Sequence, residues 1–182
     1  MQSTNLAGYN NSWYKPGASV LKRGLWFCVN ACFFCSYFPF NGFKLFLLRL
    51  FGARLGRGIV IKPAVNIKYP WKLELGDYVW IGEKVWIDNL DIVRIGSNSC
   101  LSQGAFLLCG NHDYKKSTFD LITAPVTLEE GVWIGAKAIV CPGVTCASHA
   151  VLAAGSVANR DLEAFGIYQG NPAQKVKERI IV

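Results

Sequence analysis

The sequence predicts a mainly β protein, a parallel β-helix of stacked triangular coils, and three observations carry that prediction. The first is a six-residue rhythm: Leu75-Gly-Asp-Tyr-Val-Trp80, Ile81-Gly-Glu-Lys-Val-Trp86, Ile95-Gly-Ser-Asn-Ser-Cys100 and Ile134-Gly-Ala-Lys-Ala-Ile139. Each hexad opens on an aliphatic residue with glycine second. Such a unit is too short for a helical hairpin or a propeller blade and fits one short strand plus one corner. The second is a countable register, opening at Leu55, Ile61 and Ile67, then Leu75, Ile81 and Ile87, then Ile95, Leu101 and Leu107. The third is where the register slips. Two extra residues follow each of the first two sets of three hexads, so three hexads make one coil and each slip marks a bulged corner.

The elements then follow in order. Residues 1–54 form an N-terminal arm and helical segment. The arm, residues 1 to 20, is polar, with Trp13 and Tyr14 as anchors. Gly24 to Phe40 is an apolar run, and Phe43 to Phe51 reads as a short amphipathic helix carrying Lys44 and Arg49. The apolar run has no Ala-x-Ala-like cleavage site behind it, and Asn30, Ser36 and Pro39 interrupt it, which argues against a signal peptide and against a span. Two readings of residues 21 to 51 stay open: a cap on the open end of the solenoid or on a neighbouring subunit, and a helical pair lying on the inner membrane. Residues 55–160 form the β-helix, which is interrupted by an excursion loop at about 109–127 and resumes at Leu128, Ile134, Val140, Cys146, Leu152 and Ala158. Residues 161–182 form a tail that ends in a short helix over Gln174 to Arg179.

Composition narrows the partners. A net charge of +7 and a pI near 9.1 suit an anionic partner. No nucleic-acid recognition pattern accompanies that charge, so a phosphorylated small molecule or an anionic membrane surface fits better. Of seven cysteines, Cys28, Cys32 and Cys35 have the spacing of a buried helical face, and Cys146 fills an aliphatic hexad slot. No zinc spacing is present and only two histidines exist, so no metal site is expected. The cysteine usage fits a reducing cytosol.

Longer motifs point to a family. Gly110-Asn-His-Asp-Tyr114, Gly131-Val-Trp-Ile-Gly-Ala-Lys-Ala138, Pro142-Gly-Val-Thr145, Ala153-Ala-Gly-Ser-Val157 and Gly170-Asn-Pro-Ala173 resemble the hexapeptide-repeat acyltransferases in order and spacing. Leu47-Leu-Arg-Leu-Phe-Gly-Ala53, Ile67-Lys-Tyr-Pro-Trp-Lys72 and Trp86-Ile-Asp-Asn-Leu90 are similar to the colanic acid biosynthesis acetyltransferase subgroup. The resemblance implies a left-handed β-helix, a homotrimer with sites between adjacent prisms, acetyl-CoA as donor and a carbohydrate hydroxyl as acceptor.

Acetyl transfer from a thioester to an alcohol needs a base, an oxyanion donor and alignment. His112, on the excursion, is the expected general base. Asp113, Glu129, Glu130 or a backbone carbonyl are the candidates to orient it. His149 sits fourth in its hexad and reads as a corner residue. The resemblance puts the oxyanion on the backbone N–H of Ala136 and the donor's pantetheine beside Trp133, Gly135, Ala136, Ala153 and Ala154. It puts Asn159, Arg160 and Lys177 at the donor's phosphates and adenine, with Lys175 as a substitute where some relatives carry arginine. Asn89, then Asp88, are the expected acceptor contacts. Trp80 and Trp86 should stack outward.

The function expected is an O-acetyltransferase using acetyl-CoA on a sugar or lipid-linked oligosaccharide in exopolysaccharide biosynthesis, without metal or nucleic acid. It would be cytoplasmic, with possible peripheral contact to the inner membrane. The alternatives are an amino-sugar N-acetyltransferase and a non-catalytic β-helical assembly module.

Overall fold

The structure, a computed structural model, describes residues 3–182. The chain winds into a triangular prism whose three faces are parallel sheets. One face stacks the strands Arg54–Leu55, Leu73–Leu75, Val93–Ile95, Val126–Leu128 and Thr145–Cys146. The second face stacks Val60–Ile61, Trp80–Ile81, Cys100–Leu101, Trp133–Ile134 and Val151–Leu152, and the third Asn66–Ile67, Trp86–Asp88, Phe106–Leu108, Ile139–Val140 and Val157–Ala158. The counted register holds: Leu75 pairs with Leu55 and Ile95, Ile134 with Leu101 and Leu152, and Val140 with Leu107 and Ala158. These opening side chains point inward and are almost completely enclosed, from Ile67 and Ile87 to Leu107 and Leu152.

Two backbone requirements produce the rhythm. At the second position of the hexads that carry glycine there, the next coil comes too close for a side chain. A Cβ on Gly76 would lie 2.6 Å from the amide nitrogen of Ser97, and one on Gly96 would lie 2.6 Å from the carbonyl carbon of Glu129. At the fourth position the chain turns through the left-handed region, which L-residues adopt at a cost. Gly58, Gly104, Gly131, Gly143 and Gly155 stand there, but so do Ala64, Tyr78, Lys84, Asn98, Lys137 and His149, all with φ between 56° and 61°. His149 is thus a corner residue, its ring against Phe165 at 4.8 Å.

The helical segment closes the first coil. α1 (Val20–Val29) continues through a π turn to Phe34, and α2 (Asn41–Leu50) follows. The outer edge of the first coil has no strand above it, and side chains take the strand's place. Trp26 Nε1 donates to the Ile67 carbonyl at 2.8 Å, Asn41 exchanges two bonds with Ile59 and Ile61, and Asn30 Oδ1 accepts from the Ile67 amide. Lys44, which the membrane reading would place against lipid headgroups, is instead fully buried and donates to the Lys62 carbonyl, and burial lowers its pKa from the ordinary lysine range. Capping an edge in this way removes a template for strand addition. It also fixes which helical stripe is inward: Trp26, Phe34, Leu47 and Leu48. Cys28, Cys32 and Cys35 therefore face outward, against the expectation of a buried face.

The other end corrects the tail. Residues expected to form a short C-terminal helix form a strand, Ala173–Glu178, which folds back antiparallel on Gly166–Gly170. Gly166–Gly170 lies in turn on Val151–Leu152 and so continues the second face. Gly170 and its neighbours make a hairpin turn, and pairing with an open sheet edge outweighs the modest helical propensity of the lysine-rich stretch.

Trp80 and Trp86 lie on adjacent faces rather than in one column. Trp86 stacks on Phe106 of the next coil, 4.6 Å between ring centroids.

The glycine argument is testable by stability measurements in urea. Gly96→Ala should cost about 1–3 kcal/mol through backbone overlap between coils, whereas Gly24→Ala, in α1 with nothing within 4 Å of an added Cβ, should stabilise by roughly 0.5–1 kcal/mol.

Candidate active site

All three register breaks occur at the same edge of the prism, between the third face and the first. Residues 68–72 form the first insertion, with a 3-10 turn at Pro70–Lys72, and 88–92 form the second. The third is the excursion, a hairpin of Gly110–His112 against Leu121–Thr123. The insertions are laced together. The buried amide of Asn89 accepts from the Tyr69 N–H at 2.9 Å and donates to the Tyr69 carbonyl, so this side chain is spent on the fold. Gly110 lies so close over Leu90 that an added Cβ would meet its Cδ1 at 2.5 Å. Tyr14 donates to the Leu90 carbonyl at 2.7 Å, and Trp71 Nε1 to the Pro16 carbonyl. The expected anchoring of the arm by Tyr14 is thus seen in its hydrogen bond. Burial, together with nearby Tyr69, Asp91 and Asp88, raises its phenol well above the usual range.

His112 is presented by this hairpin. Its Nδ1 lies 2.8 Å from the carbonyl oxygen of Phe119. A carbonyl only accepts, so in the neutral ring Nδ1 carries the proton and Nε2 keeps its lone pair. The Phe119 ring stacks on the imidazole at 4.4 Å, nearly parallel, and Phe119 itself adopts φ 53°. That turn aims the carbonyl back at the histidine. The carboxylates considered from sequence are engaged elsewhere. Asp113 accepts from the Lys115 amide, Glu129 from the Ser148 amide and hydroxyl, and Glu130 from Asn98. The loop at the hairpin's tip is locked by Asp120, which accepts from Thr118 and Lys116, and those bonds hold its carboxyl below the usual range. Cys109, at the hairpin's root, is a poor nucleophile, because burial pushes its thiol up to about 12.

The N-terminal arm reaches the same loop, a contact that sequence reasoning missed. The Asn5 amide donates to the Ser117 carbonyl at 2.7 Å, Gly8 faces Thr118, and the Tyr9 ring lies 5.8 Å from that of His112. No local pattern signals this contact, since it joins segments more than a hundred residues apart. Phe119 was equally silent in the sequence.

The other expected residues lie at a different edge, between the second and third faces. The third-position amides of the hexads point out of these corners. At Asp77, the same position of a hexad on the first face, the Ser97 hydroxyl accepts that N–H at 2.9 Å. At Ala136 and Ala154 no acceptor for the N–H is present among the described residues. The two corners are stacked tightly, for a Cβ on Gly135 would lie 2.5 Å from the Ala154 nitrogen. Gly135's own N–H is used in the ladder, to the Leu152 carbonyl at 2.7 Å. Ala153 donates to Tyr168 and is half-buried. Trp133, half-exposed, is pinned by its Nε1 to Ser102 at 2.9 Å. Asn159, Arg160 and Lys177 are exposed and form no salt bridge among the described residues. Lys175 differs, because Glu163 and Glu178 each hold its ammonium at 2.7 Å and raise its pKa, Glu163 most strongly.

Asp88 closes the geometry at the insertion edge. It is 8% exposed, and Lys68 Nζ lies 2.8 Å from its Oδ1, off the direction a hydrogen bond needs. No cluster of three metal-ligating side chains occurs among the described residues, and no helix there is long and apolar enough to cross a membrane.

No family model matches the chain. It is 37% identical over 177 residues to the candidate colanic acid biosynthesis acetyltransferase WcaF of Escherichia coli (strain K12), covering 97% of each chain. In structure it is similar to a hexapeptide-repeat acetyltransferase of Vibrio cholerae solved with acetyl coenzyme A, with a TM-score of 0.80, 22% identity and 91% and 92% of the two chains covered. A galactoside acetyltransferase in complex with coenzyme A aligns with a TM-score of 0.78 and 22% identity over 87% of this chain and 80% of that one.

The ring geometry has a direct spectroscopic reading. In 15N NMR of the imidazoles at high pH, His112 should carry its proton on Nδ1, and Asp113→Asn should leave that tautomer unchanged. A proton on Nε2 would contradict the Phe119 hydrogen bond.

Proposed function

The chain belongs to the hexapeptide-repeat acetyltransferases, in the colanic acid biosynthesis group of WcaF, and from that premise we propose that it moves an acetyl group from acetyl-CoA to a sugar hydroxyl, with His112 as general base. The observation that carries this reading is the Phe119 carbonyl on His112 Nδ1, which leaves Nε2 ready to accept a proton. Nε2 takes the hydroxyl proton as the oxygen attacks the thioester carbonyl. Negative charge then gathers on the former carbonyl oxygen, and the free N–H of Ala136 is the donor suited to it. As the carbon–sulfur bond breaks, the imidazolium returns its proton to the departing thiolate, giving CoA and the acetyl ester.

The donor would lie along the stacked corners at Ala136 and Ala154, whose N–H groups are free to bond the amide carbonyls of pantetheine. Trp133 would flank the thioester, and Asn159, Arg160 and Lys177 would meet the phosphates and adenine. Lys175 is the weaker choice for a phosphate, since two carboxylates already neutralise it. On the acceptor side Asp88 outranks Asn89, because the Asn89 amide is consumed by Tyr69. Trp86 offers a half-exposed ring beside it.

A homotrimer, as in the resemblance, would account for the same placement. His112 and the Ala136–Ala154 corners occupy different edges of one prism, so a hairpin from one protomer meeting a neighbour's corners would unite them. The acceptor class we favour is a sugar or a lipid-linked oligosaccharide in exopolysaccharide assembly in the cytoplasm. Apolar side chains on α1 and α2, among them Leu21, Leu25, Phe27 and Phe46, are exposed, and we assign them to the inner-membrane surface.

Turnover of acetyl-CoA with a panel of sugars should fall by about 10²–10⁴-fold in His112→Ala while acetyl-CoA binding persists; a small loss would remove the assigned base, and absent CoA binding would favour a non-catalytic module. In flotation with phosphatidylglycerol vesicles, the full chain should partition with lipid and the pair Leu25→Glu with Phe46→Glu should not. Equal partitioning would remove the membrane contact.

A further inference from the structure

We propose that the groove between α1 and the third face is a second acceptor subsite, which holds the lipid-proximal end of an amphiphilic glycan: a sugar, a phosphate and a hydrocarbon chain. The proposal rests on the sugar-acetyltransferase reading and deepens it.

The groove encloses about 690 Å³, within the range of small-molecule sites. Its prism wall is the outer side of Asn66, Trp86 and Asp88 with Lys68 and Tyr69 of the first insertion, and its other wall is α1. Three features select the occupant. Asp88 Oδ1 is buried, lines the groove and has no hydrogen-bond partner. The Lys68 ammonium 2.8 Å away compensates the charge of that atom, and the edge of the carboxylate that lines the groove can accept from a sugar hydroxyl beside the Trp86 ring. Arg23, half-buried on the α1 wall, forms no salt bridge among the described residues. Lys68 neutralises Asp88, so Arg23 leaves the groove with a net positive charge suited to phosphate.

The third feature is Gly24. Glycine inside a helix costs about 1 kcal/mol relative to alanine, yet nothing lies within 4 Å of a Cβ built there. No packing within the chain requires it. A side chain at this position would occupy the groove, so the glycine keeps the space open. The groove also adjoins the exposed apolar row of Val20 and Phe27, 76% and 74% exposed. A hydrocarbon tail leaving the phosphate at Arg23 would pass along that row.

The separation from the reaction centre suits a remote subsite. The Asp88 carbonyl accepts from the Cys109 amide at 3.2 Å, and three extended residues from Cys109 to His112 span roughly 10 Å. The reacting sugar at His112 and the lipid-linked sugar at Asp88 are therefore different residues of one glycan.

The test is calorimetric titration of the full chain, without acetyl-CoA, using farnesyl diphosphoglucose, farnesyl diphosphate, farnesol and inorganic pyrophosphate. Farnesyl diphosphoglucose should bind most tightly, with farnesol and pyrophosphate each weaker by at least about tenfold. Arg23→Gln should weaken it by about tenfold, and Asp88→Asn should erase its advantage over farnesyl diphosphate. Gly24→Leu should abolish binding with no fall in Tm, since leucine is the better helix former. Farnesol binding as tightly as the diphosphates would reduce the groove to a greasy surface. Pyrophosphate binding equally well would reduce it to an anion site, and unchanged binding by Gly24→Leu would place the ligand elsewhere. Any of these overturns the proposal. Because no acetyl transfer is measured, inactivity of the chain as a transferase would not produce any of them.

Discussion

The ladder of hydrogen bonds from each coil to the next governs everything else in this protein. Every coil must return to the same height and register, because its amides bond to the carbonyls directly above, as from Gly76 to Ile95 and from Gly82 to Leu101. Side chains are subordinate to that spacing. Where coils approach most closely only glycine fits, and where the chain turns fastest even tyrosine, lysine and histidine are held with positive φ. An isolated non-glycine residue in that conformation is costly. Here the cost is repaid along a cooperative stack, in which each corner is fixed by the coils on both sides.

A ladder so regular leaves few places for chemistry. Extra residues cannot enter a face without breaking pairs, so they emerge at a corner, and in this chain all three insertions share one edge. They then support one another: Asn89 binds the first insertion to the second, Leu90 underlies the third, and Tyr14 and Lys72 converge on the Leu90 carbonyl. His112 inherits a rigid base from this lacing although it stands on an excursion. Its orientation is achieved with a backbone carbonyl instead of a carboxylate, which puts no second charge beside the ring.

Much of this was legible in the sequence, and the limits have physical causes. The period of six is a local signal repeated many times, so the register of Leu55 through Ala158 could be counted without error. His112 stood out because it is one of two histidines and sits in an interruption of that count. The left-handed fourth position was less visible, because its occupants share a backbone conformation and no side-chain chemistry. Phe119, Tyr9 and the arm's grip on the hairpin depend on contacts between distant segments, and a linear pattern carries no trace of them. The cysteine stripe misled for a related reason. The helix carries apolar residues on several sides, and its inward side was decided by Trp26 and Asn30 finding unpaired groups on the first coil. The lysine-rich tail was drawn into a strand by the open sheet edge beside it.

The two edges of the prism differ in how they are built, and that difference sorts their roles. The Ala136 and Ala154 corners belong to uninterrupted hexads, and what they offer is backbone: two free N–H groups held at the coil spacing by the ladder itself. Such a site suits a ligand that does not vary, since changing it would mean changing the fold. The insertion edge offers side chains on segments outside the ladder, including Asp88, Tyr69, Trp86 and the arm's Tyr9. These can be exchanged at little cost to the prism, because surface loops carry few of its coil-to-coil bonds. On the proposed function, the donor common to many reactions would take the first kind of edge and a variable acceptor the second. The helical cap joins the second kind, for α1 both completes the bonding of the first coil and walls the groove beside Asp88. The element that ends the solenoid is thereby placed where it can also take part in choosing what the solenoid acts upon.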